Sequence, residues 1–248
     1  MPSQILIKRL QTVVGLSEQD RTKLANMPHT VKEFTDGQHI VREGDRASRC
    51  AIVMSGFVFR QKLVGTRAQI LSIYLAGDMP DLQTLHLPLM DHNICSAGPS
   101  TVGFVPHTYL NEILTDSSRL IHALWRETLV DAAIHREWIA GLARDARSRV
   151  GHLICELAAR LEVVKLLKDA SFYLPFTQQN IADACGLSIV HVNRTIQELR
   201  QLRLIEWERR TLTLLRRKEL EELADFTPEY LHLTAGATMG ASSFGSRP

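Results

Sequence analysis

The chain has no run of about 18 consecutive apolar residues, which is the length that a membrane-spanning helix needs. Its first residues, MPSQILIKRLQTVVGL, lack the layout of a secretory signal peptide with a small-residue cleavage site. Its four cysteines are widely spaced and form no CxxC pair, which disfavours a disulfide framework and favours reduced thiols. These absences predict a cytoplasmic protein that has no membrane partner.

Motifs of several enzyme classes are also missing. The sequence has no P-loop, no nucleophile elbow and no dinucleotide-binding glycine pattern. The remaining enzyme alternative is a cupin-like metalloenzyme, a small β-barrel that carries metal on converging histidines and glutamates. Such barrels commonly contain a His-x-His pair, and this chain has none. We therefore predict that the chain is not an enzyme, and the cupin-like reading stays the less favoured alternative.

Positive charge is concentrated in one C-terminal stretch. The formal net charge of the whole chain is only +2. From Arg194 to Lys218, however, there are eight lysines or arginines against three acids, Glu198, Glu206 and Glu208. A local excess of this kind suits a polyanion, because basic side chains neutralise phosphates.

The stretch TQQNIADACGLSIVHVNRTIQELRQLR, residues 177–203, predicts two short helices joined by a tight turn. Thr177 and Ser188 are placed to cap the two helices, and Gly186 ends the first because glycine adopts a left-handed backbone without penalty. The second helix has an apolar face at helical spacing, formed by Val192, Ile196 and Leu199. This pattern is typical of a helix-turn-helix, whose second helix fits the major groove of DNA. The alternative is an ordinary helical hairpin with a solvated outer face.

A wing is predicted directly after these helices. Residues 204–214 form two short β-rich runs with a charged turn between them. Arg209 and Arg210 lie in that turn, where we expect them to contact phosphate.

The N-terminal half has a different character. Ser17 is placed to cap a short helix that ends before Pro28. Seven of the fourteen glycines then lie between residues 31 and 105, separated by β-rich runs such as 50–54, 57–59 and 69–74. Short strands with glycine turns predict a small all-β sandwich or barrel.

A long helix without proline is predicted from Ser118 to Arg144. Glu127 and Asp131 interrupt its apolar stripe. A helix of about 27 residues is about 40 Å long, more than one small β domain covers, so we expect part of the stripe to meet another chain. The alternative is that the stripe packs only on the β domain. The stripe consists of Leu120, Ala123, Leu124, Val130, Ile134, Trp138, Gly141 and Leu142.

With these parts in this order, the chain resembles the CRP/FNR family of bacterial transcription regulators over about residues 15–230. Its helix-turn-helix segment is the most specific part of the resemblance. The motifs that carry it are IVREGD (40–45), IVMSGFV (52–58), LAGD (75–78), TQQNIA (177–182), GLS (186–188), NRTI (193–196) and Leu204-Ile205 before the wing.

The resemblance implies an α+β fold with an N-terminal β-roll of the double-stranded jelly-roll type. A long dimerisation helix and a C-terminal winged helix-turn-helix follow. The expected bounds are 15–116 for the β-roll, 117–144 for the dimerisation helix, 145–230 for the DNA-binding domain and 231–248 for a disordered tail. The expected partners are double-stranded DNA, bound at a pseudo-palindromic operator, a second copy of the chain, and RNA polymerase.

The resemblance also indicates which residues contact DNA. Arg194 matches the family's base-reading arginine, which can donate two hydrogen bonds to guanine. Val190 stands where the family often has a glutamate that reads cytosine, so we expect a different operator, partly read by His191 and Asn193. The whole predicted set is Thr177, Gln178, Gln179, Ser188, Val190, His191, Asn193, Arg194, Arg209 and Arg210.

The signal is less clearly indicated, and the cofactor is left unknown. Relatives that bind cyclic AMP hold its phosphate with an Arg-Ser pair, and Asp91 and His92 occupy that position here. A carboxylate repels a phosphate, so cyclic AMP in the usual mode is not expected. The candidate effector-pocket residues, taken from the family's cassette and long helix, are Gly77, Asp78, Asp81, Asp91, His92, Ile134 and His135.

Other sensing modes stay open. No cysteine precedes Cys50, so the N-terminal iron–sulfur cluster of oxygen-sensing relatives is not expected. His86, His92 and Cys95 lie close in sequence and are weak candidates for a metal or haem site, although structural roles are commoner for such residues. Redox sensing and regulation by expression level alone are further alternatives. No metal site is predicted.

Overall fold

The computed structural model describes residues 1–11, 14–87 and 89–233, and it contains a β-roll, a long helix and a winged helix-turn-helix. The predicted tail lies outside these residues from 234 onward. The N-terminal half comprises α1 (Pro2–Gln11), α2 (Glu18–Ala25), β1 (Thr30–Phe34), β2 (His39–Val41), β3 (Arg49–Val64), β4 (Arg67–Tyr74), a 3₁₀ turn (Leu82–Leu85), β5 (Asn93–Pro106), α3 (His107–Thr115) and α4 (Ser118–Gly141). The C-terminal half comprises α5 (Ala146–Val163), β6 (Ser171–Tyr173), α6 (Gln178–Cys185), α7 (Ile189–Gln201), β7 (Ile205–Glu208), β8 (Thr211–Leu214), α8 (Arg217–Leu223) and a 3₁₀ turn (Glu229–Leu231).

The strands of the N-terminal half form one antiparallel sheet in the order β1-β5-β3-β4, with β2 also paired to β5. The predicted runs 50–54 and 57–59 belong to one strand, β3, which bends at Gly56. Gly56 has a φ of +79°, and a Cβ there would lie 2.8 Å from the Cα of Ser100. Only glycine therefore fits at this bend, where the register between β3 and β5 shifts.

Helix α1 adds a layer to the β-roll that the sequence reading did not predict. Leu6 and Leu10 are fully buried on this helix and share a core with Cys50, Ile52 and the start of α4. The roll therefore includes residues before position 15.

Helix α4 ends at Gly141, three residues before the predicted end at Arg144. Its predicted apolar stripe lies against this same chain, apart from the exposed Leu142. The chain itself therefore covers most of the stripe, whereas the expected contact of part of the stripe with another chain stays a prediction. A second apolar row, exposed and within an arc of about 80° at 100° per residue, lies on the opposite face. It consists of Ile121, Trp125, Leu129 and Ile139.

The β-roll and the C-terminal half share one hydrophobic core. The ring of Phe176 contacts those of Phe57 and Phe59, with centroids 5.3 and 4.9 Å apart. Arg160 of α5 donates to Asp78 of the β-roll at 2.9 Å. Among the described residues, none of the helices combines the length and apolarity that crossing a membrane requires.

Candidate nucleic-acid interface and effector cavity

Local hydrogen bonds define both helices of the helix-turn-helix, as the sequence predicts. Thr177 and Asn180 form a capping box at the start of α6. Gly186 ends α6 with a φ of +63°, in the left-handed region. The hydroxyl of Ser188 accepts the backbone N–H of His191 at 3.2 Å and caps α7. Each cap satisfies a helix-end group that would otherwise lack a partner, so the turn has one defined geometry.

Helix α7 has one buried face and one free face. Val192, Ile196 and Leu199 are buried, as predicted. Val190, by contrast, is 79% exposed, and the neighbouring Ile189 is 45% exposed, so two adjacent apolar side chains lie on the free face. All ten residues predicted to contact DNA are exposed to solvent.

Arg194 has a charged partner on its own helix, although 77% of its side chain is exposed. Its Nε donates to Glu198 Oε1 at 2.9 Å, one helical turn along α7. Glu198 also lies 3.9 Å from the Nε of Arg147, at the start of α5. The two terminal nitrogens of the guanidinium have no hydrogen-bond partner among the described residues. This leaves the forked pair of donors that guanine O6 and N7 accept.

The start of α6 is less free than its exposure indicates. The side-chain amide of Gln179 donates to Asp183 at 2.6 Å, and the hydroxyl of Thr177 is engaged by Asn180 at 2.8 Å. Gln69 of the β-roll donates to the backbone oxygen of Asp183. Hydrogen bonds between its own side chains therefore hold the first turn of α6, and the contact with Gln69 attaches this helix to the sheet.

The wing forms as predicted from β7 and β8. Arg209 and Arg210 occupy the turn with φ values of +46° and +66°. Positive φ at both central residues is typical of a type I′ hairpin turn. Such turns favour glycine or asparagine at these positions, so arginine is unusual there. Both arginine side chains are exposed to solvent at this turn.

The predicted effector residues do not converge on one site. Asp78 and Ile134 line a small cavity of about 40 Å³ between the sheet and α4. His135 does not line this cavity, but its ring lies 3.5 Å from the guanidinium of Arg60, which does. Gly77 is a turn residue with a φ of +100°. Small-molecule sites typically have volumes of about 300–1,000 Å³, so this cavity is too small for a nucleotide.

Arg60, which sequence reasoning missed, also lines this cavity. Its guanidinium donates to Asp131 and to the backbone oxygen of Pro80, each at 2.8 Å, and stacks over Tyr74 at 5.1 Å. Burial lowers the pKa of His135, so its ring is neutral at pH 7 and does not compete with Arg60 for Asp131. The two acids that interrupt the α4 stripe were the available signal, since a carboxylate on a buried face requires a partner.

The other acid of that pair, Glu127, contacts Arg9 of α1 at 3.2 Å. Arg9 also lies 3.5 Å from Asp78, which Arg160 contacts from the other side. Burial raises the pKa of Glu127, and the neighbouring arginine opposes that rise. The β-roll, α1, α4 and α5 are thus joined by one internal network of charges.

The remaining three candidates lie elsewhere. Asp81 is fully buried and accepts the backbone N–H of Ala51 at 2.7 Å, and burial raises its pKa to about 7. The ring of His92 lies 2.6 Å from the carboxylate of the exposed Asp91, so these two residues bind each other. Asp81 therefore supports the sheet and does not face the cavity.

The candidate metal residues are likewise dispersed. Cys95 contacts His39 and Gln61, whereas His92 contacts Asp91 and Gln83. Within residues 1–11, 14–87 and 89–233, no group of three His, Cys, Asp or Glu side chains could hold a metal ion. Burial raises the pKa of all four thiols, to about 11 for Cys95 and about 12 for Cys185, so none is a reactive thiolate at neutral pH.

Comparison with known proteins agrees with this arrangement. Residues 148–223 match a Crp-like helix-turn-helix domain. A probable transcriptional activator of Rhizobium leguminosarum bv. viciae is 24% identical over 201 residues, which cover 79% of this chain and 81% of that protein. The transcriptional activator protein FnrL of Cereibacter sphaeroides is 24% identical over 178 residues, which cover 68% of this chain and 70% of FnrL. The structure of FixK2 from Bradyrhizobium japonicum superimposes with a TM-score of 0.71 at 22% identity and covers 86% of this chain and 100% of FixK2.

A β-roll joined through a long helix to a winged helix-turn-helix defines a transcription regulator with a DNA-binding domain. The chain contains a Crp-like helix-turn-helix domain and is similar over most of its length to transcriptional activators, which confirms the resemblance to the CRP/FNR family drawn from its motifs.

Proposed function

We propose that the chain acts as a homodimer that binds a pseudo-palindromic operator and reads each half-site through α7. The observation that carries this proposal is the exposed Arg194, whose Nε donates to Glu198 while its terminal nitrogens have no partner among the described residues. An arginine presented in this way donates two parallel hydrogen bonds to guanine, which contributes about 1–3 kcal/mol of discrimination per half-site.

The other exposed residues of the interface have distinct roles in this proposal. Val190 packs on a thymine methyl group, because its side chain cannot form a hydrogen bond. His191 and Asn193 contact further bases, and Ser188 lies beside the backbone at the cap of α7. Phosphates are contacted at the start of α6 and at the wing, by Thr177, Gln178, Gln179, Arg209 and Arg210.

The exposed apolar row on α4 supports the homodimer. Trp125 is 62% exposed, and Ile121, Leu129 and Ile139 extend the row over most of the helix. Exposed apolar rows of this length mark interaction sites on soluble proteins, and a helix face that repeats itself along its axis pairs readily with its own copy. Two recognition helices related by such a dimer would lie about one helical turn of DNA apart.

We further propose that residues 15–116 together with α1 form the sensory unit, with residues 117–144 for dimerisation and 145–230 for DNA binding. Cyclic AMP in the usual mode does not act on this sensory unit, because Arg60 and Asp131 occupy the space between the sheet and α4. RNA polymerase is the partner of the DNA-bound form. Two proteins similar to this chain are named as transcriptional activators, which supports a contact with RNA polymerase.

Selection of DNA from a random library tests this function. We expect the wild type to enrich an inverted repeat when no ligand is added. Micromolar cyclic AMP should leave the selected sequence unchanged. Arg194→Ala should lose preference at one guanine per half-site. The matched control is Arg200→Ala, an exposed arginine of the same helix, which should keep the wild-type preference. Selection of the same operator by Arg194→Ala would overturn the assignment.

A further inference from the structure

A second and much larger cavity lies between the β-roll and the C-terminal half. Its volume is about 660 Å³, and its walls come from α1, the bend of β3, the end of α5 and β6. Volumes of about 300–1,000 Å³ are typical of small-molecule sites. Arg9 lies between this cavity and the small one around Arg60 and lines both, whereas none of the predicted effector residues lines the larger cavity.

The floor of this cavity is apolar. Phe57, Leu161 and Phe172 line it and are nearly inaccessible to solvent. At the mouth, Leu166 and Tyr173 are each 47% or more exposed, although both are large side chains that normally gain free energy by burial. An apolar ligand body would cover both the floor and these two rim residues.

All the charges on the lining are positive. Lys8, Arg9 and Lys165 line the cavity, and none of the described residues that line it is an aspartate or a glutamate. Arg9 is engaged by Asp78 and Glu127, so its charge is balanced within the protein. Lys8 and Lys165 are exposed, and the part of the chain described by the structure provides neither with a carboxylate partner.

The end of α5 does not cancel this positive charge. Its terminal carbonyl groups would repel an anion, but the backbone N–H groups of Lys165 and Leu166 cap them at 3.0 and 2.8 Å. Lys165 has a φ of +61°, which turns the chain away from the helix axis at the cavity rim. The lysine therefore lies beside the mouth and not along α5.

We propose that this cavity binds an amphipathic carboxylate, such as a medium-chain alkyl acid. The alkyl chain packs against Phe57, Leu161 and Phe172, and the carboxylate lies between the ammonium groups of Lys8 and Lys165. The ligand contacts both the β-roll and the C-terminal half, so its binding strengthens the contact between them. This proposal depends on the cavity alone and stands independently of the proposed operator reading.

Calorimetric titration of the full-length protein with decanoate, kept below its micelle concentration, tests the proposal. Decanol is the uncharged comparison, with the same chain length. The charge variant is Lys8→Glu/Lys165→Glu. Its matched control is Lys32→Glu/Lys218→Glu, which reverses two exposed lysines away from the cavity.

We expect the wild type to bind decanoate at least about tenfold more tightly than decanol. The Lys8→Glu/Lys165→Glu variant should weaken decanoate binding about tenfold or more and leave decanol binding within about twofold, and the control should change neither. A third variant, Ser55→Trp, should block both ligands by filling the cavity. Absence of saturable decanoate binding by the wild type would overturn the proposal, as would an equal loss of decanoate binding in the control.

Discussion

Replacement of Arg160 by methionine tests the internal charge network most severely. Arg160 is buried and donates to Asp78 at 2.9 Å and to Glu156 at 3.1 Å. Methionine keeps much of the aliphatic volume but leaves two buried carboxylates without this cation. Removing one partner of a buried ion pair costs about 3–5 kcal/mol, because a charge is left in a medium that solvates it poorly.

We expect the free energy of unfolding to fall by about 3 kcal/mol, the lower end of this range, because both carboxylates keep other donors. Asp78 keeps Arg9, and Glu156 still accepts from Trp138 and Tyr230 at 2.8 and 2.9 Å. For a chain of this size the melting temperature should fall by about 6–12 °C. Urea unfolding followed by tryptophan fluorescence and circular dichroism measures the free energy directly.

The control is Arg147→Met on the same helix. Arg147 is exposed, and its two acidic neighbours are 3.9 Å away, so its loss should cost less than about 1 kcal/mol. Adding Glu156→Gln to Arg160→Met should recover part of the stability, because it removes one stranded charge. A loss in Arg160→Met no larger than that of the control would refute the reasoning about the buried network.

Two further predictions concern Asp81 and Trp125. Burial raises the pKa of Asp81 in the folded protein to about 7, from 3.8 in the unfolded chain. Between about pH 4 and pH 7 the folded state therefore binds one proton more than the unfolded state, and the free energy of unfolding falls as the pH rises through this window. The Asp81→Asn variant lacks this titration, so its free energy of unfolding relative to the wild type, measured with urea, should rise by up to a few kcal/mol between pH 4 and pH 7. A difference between the two proteins that stays the same from pH 4 to pH 7 would contradict the raised pKa. Trp125→Glu should shift the protein from dimer to monomer in sedimentation velocity, because it charges the exposed α4 row. Arg119→Glu on another face of α4 should stay dimeric, and a dimeric Trp125→Glu protein would exclude this face as the interface.

The features that sequence predicted well are local ones. The caps at Thr177 and Ser188, the turn at Gly186 and the wing each depend on residues a few positions apart, so the pattern itself contains the cause. The exposed face of α7 follows directly from the buried positions on its other side.

The features that sequence missed depend on distant contacts. Arg9 and Glu127 are separated by 118 positions, and Arg60 and Asp131 by 71, so no local pattern connects them. Helix α4 has apolar residues on two opposite faces, and periodicity alone does not show which one its own chain covers. The shape of both cavities likewise follows from tertiary packing.

The most direct test of the central claim is a thermodynamic cycle between Arg194 and its guanine. The affinities of wild type and Arg194→Ala are measured for the selected operator and for the same operator with 7-deazaguanine at the Arg194-dependent position, which removes the N7 acceptor. We predict that the modified base weakens wild-type binding and has no effect on the variant, with a coupling energy of about 1–3 kcal/mol. Equal weakening of both proteins by the modified base would show that Arg194 does not read this guanine.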